Sequence, residues 1–334
     1  MSVSSVGLPG RDQLLEMAGL FRPACVLGAA AELDLFTMLG DRALTAESLA
    51  GELSADVRGL RMLLDAVTAL GLLEKESERY RVPARLRPWL AQGPESVLPM
   101  IWHATSIQRN WTQLARIVQS GKPAERQASI RGAEADRAAF IAAMHTVSGP
   151  AADPLVARLG PPRFTHLLDV GGASGTWTLA FLRAVPGARA TIFDLPDAIE
   201  QARDRIAATP MASRIALVAG DFYRDELPPG ADYAWVSAII HQHSRQHNRE
   251  LFAKVHRALQ PGGRIGIRDI VMQPDHIHPQ FGAMFAINML VNTETGGTFT
   301  FDEIAEDLVS AGFVEPKLSV PADDMHAVVE ARKP

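Results

Sequence analysis

The spacing of apolar residues changes once along the chain, close to Pro161-Pro162. Before this point, apolar side chains recur every three or four positions, which is typical of amphipathic helices. The clearest helical stretches cover residues 23–39 and 54–70, and a polar stretch with one tyrosine follows at residues 74–82. Helices followed by a short hairpin are typical of a winged helix. We therefore predict that architecture for the first part of the chain.

Two features of this part concern helix ends and DNA. Thr45 and Ser54 are predicted N-caps, because short hydroxyl side chains accept hydrogen bonds from the first N–H groups of a helix. The helix that would enter a DNA groove carries balanced charges, namely Asp56, Arg58, Arg61 and Asp65. Without a basic face, protein–protein packing is favoured over DNA reading.

Further helices are predicted from residue 95 to about residue 159, and glycines and prolines interrupt them at residues 121–123 and 149–150. After residue 162, short apolar runs alternate with helical patterns. Five runs are predicted strands: residues 166–170, 190–193, 215–218, 233–240 and 263–270. Helices are predicted at residues 177–184, 198–207, 249–259 and 302–311, and two last strands at 314–320 and 327–331. This alternation predicts an α/β fold with a doubly wound parallel sheet.

A glycine-rich turn joins the first predicted strand to its helix. The turn is Gly171-Gly172-Ala173-Ser174-Gly175, and Asp169 lies two positions before it. Such a turn lets the backbone approach a nucleotide closely. NAD is disfavoured, because alanine replaces the middle glycine of the dinucleotide fingerprint and Asp169 would repel a diphosphate. A carboxylate at this place suits an α-ammonium group, which favours S-adenosylmethionine (SAM).

Two more acids end the next two strands. Asp194, followed by Leu195, ends the second strand, where a carboxylate can accept hydrogen bonds from both ribose hydroxyls. Asp221 follows the third strand and offers an acceptor for the exocyclic amine of adenine, beside the aromatic face of Phe222. Each of the three acids matches one polar group of the same ligand. Together they predict a SAM site.

Composition limits the other possibilities. The chain has 334 residues with 33 Lys+Arg and 38 Asp+Glu, a net charge of −5, which disfavours a protein that coats nucleic acid. The single cysteine, Cys25, rules out an internal disulfide and a cysteine metal cage, and it indicates a reducing compartment. No apolar run approaches the roughly 18 to 20 residues of a membrane span, and no secretory signal is visible. We expect a cytoplasmic protein with neither nucleic acid nor membrane as partner.

The motifs in combination resemble the class I SAM-dependent methyltransferases, and specifically the small-molecule O-methyltransferases that include caffeate and flavonoid enzymes. The matching segments are residues 33–36, 63–73, 168–175, 193–196, 220–222 and 259–263. The resemblance covers nearly the whole chain. It implies a transferase of class EC 2.1.1 that uses SAM, releases S-adenosyl-L-homocysteine (SAH) and needs no metal.

The resemblance also implies an architecture. We expect a Rossmann-like, doubly wound, seven-stranded methyltransferase sheet, preceded by a mostly α winged-helix dimerisation domain. The expected division is a dimerisation domain at residues 11–92, a helical linker and substrate wall at residues 93–160, and a SAM-binding domain at residues 161–334. The family further implies a homodimer, whose N-terminal domains interlock and contribute to each other's substrate pocket.

The catalytic histidine of the family lies just after the fourth strand, usually in His-Asp-Trp. Here the run is His241-Gln242-His243, so His241 takes the catalytic position, and Asp269 stands where the family has an orienting carboxylate. Chemistry supports the pairing independently. The methyl group of a sulfonium is already activated, so transfer needs in-line positioning and removal of the acceptor's proton. A histidine can accept the proton of a phenol or an enol near neutral pH, and a carboxylate on its other ring nitrogen fixes its tautomer.

Three departures from the family pattern leave the acceptor chemistry open. A second family carboxylate is replaced by Thr298, and Glu294 is a candidate substitute. The family's lysine is Ser237, which we assign to the cofactor site, and the tryptophan that packs on adenine is His243. The leading hypothesis is O-methylation of a small, mostly apolar acceptor, aromatic or polyketide-like. The alternatives are methylation of carbon, sulfur or nitrogen, a non-methylating cofactor-binding relative, and a winged-helix regulator that the acidic balance disfavours.

The candidate acceptor residues come from three segments. Phe140 and Met144 lie one helical turn apart in a segment that resembles the family's clamp for an aromatic acceptor. The other candidates are Trp102, His103, His145, Met284, Asn288, Met289 and Asn292. Methionine-rich apolar walls with a few amides suit a flat acceptor, but each residue equally fits a core position. The histidines at positions 241, 243, 247, 276 and 278 lack the spacing of a zinc site, so no metal is predicted.

Overall fold

The computed structural model describes residues 8–93, 95–160, 163–172 and 174–334, without the side chains of residues 145 and 147. The predicted boundary at Pro161-Pro162, Ala173 of the glycine turn and the side chain of His145 therefore lie outside it. The structure forms two compact units. The first runs to Gln108 and includes Ala128–Ala143, and the second comprises Arg109–Gln127 and Met144–Pro334. The three-part division by function stays a prediction.

The N-terminal elements are mostly helical. The helices are α1 (Arg11–Gly19), α2 (Phe21–Glu32), α3 (Leu35–Leu39), α4 (Ala46–Leu53), α5 (Val57–Ala69), α6 (Arg87–Leu90) and α7 (Leu98–Trp111). The strands are β1 (Leu44–Thr45), β2 (Glu74–Glu76) and β3 (Arg79–Arg81), which form an antiparallel sheet in the order β1-β3-β2. The hairpin β2–β3 packs through Tyr80, which is fully buried with Phe36, Leu49 and Leu64. The predicted mostly α domain with a small wing is confirmed.

Two local predictions in this unit are wrong. Ser54 is not an N-cap but the left-handed residue that ends α4, and Asp56 caps α5 by accepting a hydrogen bond from the Gly59 N–H at 2.7 Å. The helix predicted at residues 23–39 is two helices, because Asp34 adopts a left-handed conformation with φ of 53°. Both errors follow from backbone turns of non-glycine residues, which apolar spacing does not reveal. Thr45 is confirmed as the cap of α4, since it accepts from the Ser48 N–H.

The remaining helices are α8 (Leu114–Ser120), α9 (Ala133–Leu159), α10 (Thr176–Ala184), α11 (Pro196–Ala207), α12 (Arg245–Ala258), α13 (Gln280–Asn292) and α14 (Phe301–Ser310). The remaining strands are β4 (His166–Val170), β5 (Arg189–Asp194), β6 (Ile215–Ala219), β7 (Ala231–Ser237), β8 (Leu259–Asp269), β9 (Val271–Met272), β10 (Phe299–Thr300), β11 (Val314–Val320) and β12 (Ala327–Arg332). Single 3-10 turns lie at Ala212–Arg214 and Ile240–Gln242.

Seven of these strands form the central sheet, in the order β11-β12-β8-β7-β4-β5-β6. Strands β4 to β8 pair in parallel, and β12 runs antiparallel to both β8 and β11. Helices α12 and α14 pack on one face of the sheet, through residues such as Phe252 and Leu308. Helices α9, α10 and α11 pack on the other face, through residues such as Val156, Phe181 and Ile206. The doubly wound, seven-stranded sheet predicted from the sequence is confirmed.

The fourth predicted strand is shorter than expected, and the difference positions the site. Strand β7 ends at Ser237, and Ala238 turns the chain with a left-handed φ of 58°. Ile239 and Ile240 remain buried in the core, which is why the apolar run continues beyond the strand. The 3-10 turn Ile240–Gln242 then carries His241 at the edge of the sheet.

One stretch in the described part of the chain, Arg11–Glu32, is long and apolar enough to cross a membrane by length and composition. It comprises α1 and α2, and most of its apolar window is exposed. A core helix of a soluble protein and a signal sequence pass the same test, so one such stretch is weak evidence. The stretch does not indicate a membrane protein, and its exposed side chains include Leu14, Leu15, Met17, Leu20 and Phe21.

Candidate active site

The glycine turn lies at the carboxyl end of β4 and leads into α10. Gly175 adopts a left-handed conformation, with φ of 65°, directly before the first helical residue. A Cβ atom on Gly172 would lie 2.7 Å from Oδ1 of Asp169, so a larger residue there would collide with that carboxyl group. The turn therefore brings the backbone directly onto Asp169.

Asp169 is 0% exposed beneath this turn. Its Oδ2 accepts a hydrogen bond from Thr178 Oγ1 at 2.6 Å, and its Oδ1 is buried without a partner in the described residues. Burial raises the pKa of Asp169 to about 7, with a smaller contribution from the negative charge of Asp194. An ammonium group would supply the missing hydrogen-bond donor and the missing positive charge. The environment of Asp169 fits the amino group of SAM.

The other two acids lie at the ends of the neighbouring strands β5 and β6. Asp194 ends β5, where its Oδ1 accepts from the Leu195 N–H at 2.7 Å, and Leu195 is exposed. Asp221 follows β6, where its Oδ1 accepts from the Tyr223 N–H at 2.9 Å, and the adjacent Phe222 packs against the core. The structure thus brings all three acids to the same edge of the sheet, as parallel pairing requires.

Ser237 ends β7 and lies opposite Arg268 of β8. The Ser237 Oγ accepts a hydrogen bond from Arg268 Nε at 2.8 Å. Ser237 is predicted at the cofactor site from the sequence, whereas Arg268 is not. The strand pattern carries no clear signal for it, because β8 also contains Arg264 and Asp269.

His241 and Asp269 form a buried pair. Nδ1 of His241 lies 2.9 Å from both carboxylate oxygens of Asp269, and His241 is 6% exposed. The Asp269 Oδ1 also accepts from its neighbour's backbone, the Ile270 N–H, at 2.8 Å. A carboxylate accepts hydrogen bonds, so it selects the tautomer with the proton on Nδ1 and leaves the Nε2 lone pair available. The predicted pair exists, and its geometry suits a general base.

The backbone and one aromatic ring hold this histidine in place. The His241 carbonyl accepts from the Gly297 N–H at 2.9 Å, and a Cβ atom on Gly296 would lie 2.5 Å from the same oxygen. The ring of Phe285, on α13, meets the His241 ring edge-on at 5.0 Å between centroids. Glu294 follows α13 and is exposed, and its role as a substitute carboxylate stays a prediction.

His243 is also buried, and its hydrogen-bond partner is not predicted from the sequence. Its Nδ1 is hydrogen-bonded to the Tyr223 hydroxyl, and its ring lies 5.8 Å from the ring of Phe222. Burial lowers the pKa of His243 to about 4, so this imidazole is uncharged at neutral pH. The signal in the sequence was weak: Tyr223 directly follows Asp221 and Phe222. Both rings lie beside Phe222, which the sequence predicts to contact adenine.

In the second unit, the acceptor candidates on α13 form an amide chain. Trp111 Nε1 donates to Asn288 Oδ1 at 3.0 Å, and Asn292 Nδ2 donates to the same oxygen at 3.0 Å. Asn110 Nδ2 donates to Asn292 Oδ1 at 2.7 Å. Met284 is exposed, and Met289 is buried. The hydrogen bonds of Asn110 and Trp111 are not predictable from the sequence, because their partners are 182 and 177 positions away.

In the first unit, Trp102 is a core residue. Its Nε1 donates to the Ala31 carbonyl at 2.8 Å, and the Arg131 guanidinium lies 3.5 Å from its ring centroid. His103 and Phe140 meet edge-on at 5.0 Å, and Phe140 is exposed. Burial lowers the pKa of His103. Met144 is partly buried in α9. The acceptor roles of all these residues stay predictions.

Comparisons with known proteins point to one family. An O-methyltransferase domain matches residues 111–314, and an O-methyltransferase dimerisation domain matches residues 15–85. The tetracenomycin polyketide synthesis 8-O-methyl transferase TcmO of Streptomyces glaucescens is 32% identical, over 97% of both chains. The 3-hydroxy-5-methyl-1-naphthoate 3-O-methyltransferase of Streptomyces sahachiroi is 31% identical, over 86% of this chain and 85% of the relative.

A solved structure agrees with these matches. PigF with SAH superposes with a TM-score of 0.85 at 25% identity, over 98% of this chain and 100% of PigF. Its bound SAH supports SAM as the cofactor of this fold. The chain therefore belongs to the SAM-dependent O-methyltransferases that act on small molecules, and it carries their dimerisation domain.

Proposed function

We propose that this methyltransferase acts on a hydroxyl group of a small, mostly apolar acceptor, aromatic or polyketide-like, with His241 as the general base. The observation that carries the proposal is the buried pair of His241 and Asp269, with two Nδ1–oxygen distances of 2.9 Å. SAM supplies a methyl group that needs no further activation. The chain's own task is to take the hydroxyl proton at His241 Nε2, while Asp269 stabilises the imidazolium that forms.

The cofactor is proposed to lie along the carboxyl edge of β4, β5 and β6. Asp169 faces the amino group, Asp194 the ribose hydroxyls, and Asp221 with Phe222 the adenine. Gly171, Gly172 and Gly175 keep the backbone close to the ligand, with Leu195 and Ser237 at its sides. The support is the unpartnered Oδ1 of Asp169 and the placement of the three acids on adjacent strand ends.

The raised pKa of Asp169 gives this site a pH dependence. An ammonium group favours the ionised carboxylate, so SAM binding should strengthen as pH rises through about 7, up to the pH at which the amino group of SAM loses its own proton. If only the ionised form binds, affinity at pH 6 should be roughly fivefold lower than at pH 7. Calorimetric titration with SAM from pH 5.5 to 8.5 measures this. Asp169→Asn should bind weakly with a flat pH profile; an unchanged slope in that variant would contradict the assignment.

The acceptor site is proposed to include Asn288. Because its Oδ1 accepts from both Trp111 and Asn292, the amide cannot turn, and Nδ2 is fixed as a donor. Phe285, three positions earlier on the same face of α13, touches His241. Asn288 thus presents an N–H group one helical turn from the ring that contacts the base. We propose that it binds a second oxygen of the acceptor, next to the hydroxyl that is methylated.

Asn288→Asp tests this role, because the aspartate keeps an oxygen for Trp111 and Asn292 while losing the donor. We expect kcat/KM to fall about tenfold for an acceptor with a second oxygen beside the hydroxyl, since a hydrogen bond is lost and a negative charge added. The same acceptor without that oxygen is the matched control, and its kcat/KM should change less than threefold. Equal losses for the two acceptors would show that Asn288 only supports the helix.

The reaction itself is tested with SAM carrying a labelled methyl group. A hydroxynaphthalene and the aminonaphthalene of the same shape are offered as acceptors, together with the corresponding thiol. We expect label in the methyl ether, and none in the amine or thioether products. Label only on nitrogen or sulfur would overturn O-methylation while leaving the cofactor site intact. SAM binding without any product from such a panel would favour the non-methylating alternative.

We further propose a cytoplasmic homodimer. The dimerisation domain covers residues 15–85, and α1 and the start of α2 expose a row of apolar side chains: Leu14, Leu15, Met17, Leu20 and Phe21. Contiguous exposed apolar side chains of this kind mark protein contacts. Light scattering of the purified chain should give twice the monomer mass of 36.1 kDa. Replacing Leu15, Met17 and Leu20 by serine should shift it towards the monomer.

A further inference from the structure

Arg268, near the end of β8, is a charged residue in the interior of the protein. It is 3% exposed, and its guanidinium carbon lies 4.7 Å from the ring centroid of Trp177. Burial lowers the pKa of Arg268 to about 10, so the group keeps its charge at neutral pH. A buried guanidinium destabilises the fold unless its N–H groups are bonded or its charge is neutralised. We therefore expect hydrogen-bond acceptors or a negative charge beside the guanidinium of Arg268.

The chain itself supplies few partners for this group. Nε donates to Ser237, but within the described residues neither terminal nitrogen donates a hydrogen bond or forms an ion pair. The two acids whose negative charges act on the pKa of Arg268 are Asp269 and Asp324. Asp269 is engaged by His241, and Asp324 accepts from the ring and backbone of His326. The outer nitrogens of Arg268 are left for a partner from outside the chain.

Arg268 shares one face of the sheet with Asp169. Asp169 pairs with Trp235 of β7, and two positions further on Ser237 pairs with Arg268 of β8. Side chains alternate along strands, so all four point to the face that α10 covers. The first turn of α10 touches both charged groups, with Thr178 on Asp169 and Trp177 on Arg268.

Asp169 and Arg268 lie on opposite sides of β7. Strands β4 and β8 are two strand spacings apart, about 10 Å, and Arg268 lies two positions further along the sheet, but its long side chain reaches back along Ser237 towards β7 and shortens the gap. A negative and a positive group, each with hydrogen-bonding atoms that have no partner in the described residues, contact the first turn of the same helix. An α-amino acid carries the complementary pair of charges on a single carbon atom.

We propose that Arg268 binds the carboxylate of the amino-acid part of SAM, while Asp169 holds the ammonium group of the same part. The planar guanidinium, fixed by Ser237 and Trp177, presents parallel N–H groups that match a carboxylate. This role rests on the cofactor site proposed above. It makes Arg268 a cofactor-binding residue.

The unaltered protein provides the first test. Titration calorimetry compares SAM with decarboxylated SAM, which differs only by the missing carboxylate. We expect decarboxylated SAM to bind about 10- to 100-fold more weakly, the range for charge-assisted hydrogen bonds. Equal binding of the two would overturn the role of Arg268 without touching the cofactor site. Failure of both to bind would overturn the cofactor site and this inference with it.

The second test uses variants. Arg268→Met removes the charge and keeps much of the volume; it should weaken SAM binding about 10- to 100-fold but decarboxylated SAM less than threefold. Arg268→Lys should recover part of the difference. Arg264→Met, an exposed position on the same strand, controls for the loss of one positive charge. Equal weakening of both ligands, or of neither, in Arg268→Met would show that Arg268 is only structural. If that variant does not fold, the lysine variant and the comparison in the unaltered protein still decide the question.

Discussion

Replacing His241 by alanine is expected to lower kcat by about 10²- to 10⁴-fold, the range for losing a positioned general base. SAM affinity should stay within threefold, because the proposed cofactor contacts lie on other residues. The loss should depend on pH in a defined way. As pH approaches the pKa of the acceptor's hydroxyl, the acceptor ionises by itself, and the rate of the variant should rise about tenfold per pH unit. Steady-state kinetics with labelled SAM between pH 7 and 10 measure both effects.

His247→Ala is the matched control, because His247 is an exposed histidine six positions further along the chain. Its kcat should stay within about twofold of the unaltered protein. Added imidazole should restore part of the activity of His241→Ala and leave the control unchanged. If His241→Ala loses less than threefold, no proton is removed in the rate-limiting step. A carbon or sulfur acceptor would then be the better description of the reaction.

Asp269→Asn should give the second-largest loss, about 10²-fold in kcat, by disturbing the tautomer of His241. The Oδ1 atom of Asp269 accepts a hydrogen bond from the Ile270 N–H, and Oδ2 lies 3.4 Å from the backbone nitrogen of His241. An asparagine must present its NH₂ group to one of these donors or to the ring. Part of the population is then driven to the tautomer with the proton on Nε2, which cannot accept the hydroxyl proton.

Nitrogen NMR can distinguish a change in the tautomer of His241 from a general disturbance of the loop in Asp269→Asn. Nitrogen NMR of labelled histidine reports directly which ring nitrogen carries the proton, and the signal of His241 should move towards the Nε2–H form in the variant. Asp269→Glu restores the carboxylate and should regain part of the rate. A variant that keeps the Nδ1–H tautomer but still loses kcat would show that Asp269 acts only by holding the loop.

The parts of the site that sequence predicts are those encoded by neighbouring residues. Asp169 and its glycine turn, and Asp194 before Leu195, each sit at the end of an apolar strand, and parallel pairing then brings them to one edge. The pair of His241 and Asp269 spans 28 positions, but each member also ends or follows a strand. A strand end is visible in the apolar pattern, so the place of these groups follows without coordinates.

Contacts between distant side chains were not predictable in this way. The bond of Trp111 to Asn288 spans 177 positions, and it decides which way the amide of Asn288 points. The hydrogen bond between Tyr223 and His243 follows the turn at Ala238. The left-handed backbone of Ala238 is not predictable from its residue type. Arg268 was overlooked because a charged residue in a strand is normally taken to face solvent. Its burial is decided by Trp177 and by the register of β8 against β7 and β12.

The position of β12 has a consequence for how the protein is made. Residues Ala327–Arg332 fill the space between β8 and β11, so this interior strand is synthesised after the other six strands of the sheet. Until it is available, the open edge of β8 is a template for pairing with other chains. A transcript or a protease cut that removes residues after Asp324 would therefore expose the middle of the sheet. The integrity of the site at Asp269, paired with Ala327, therefore depends on strand β12.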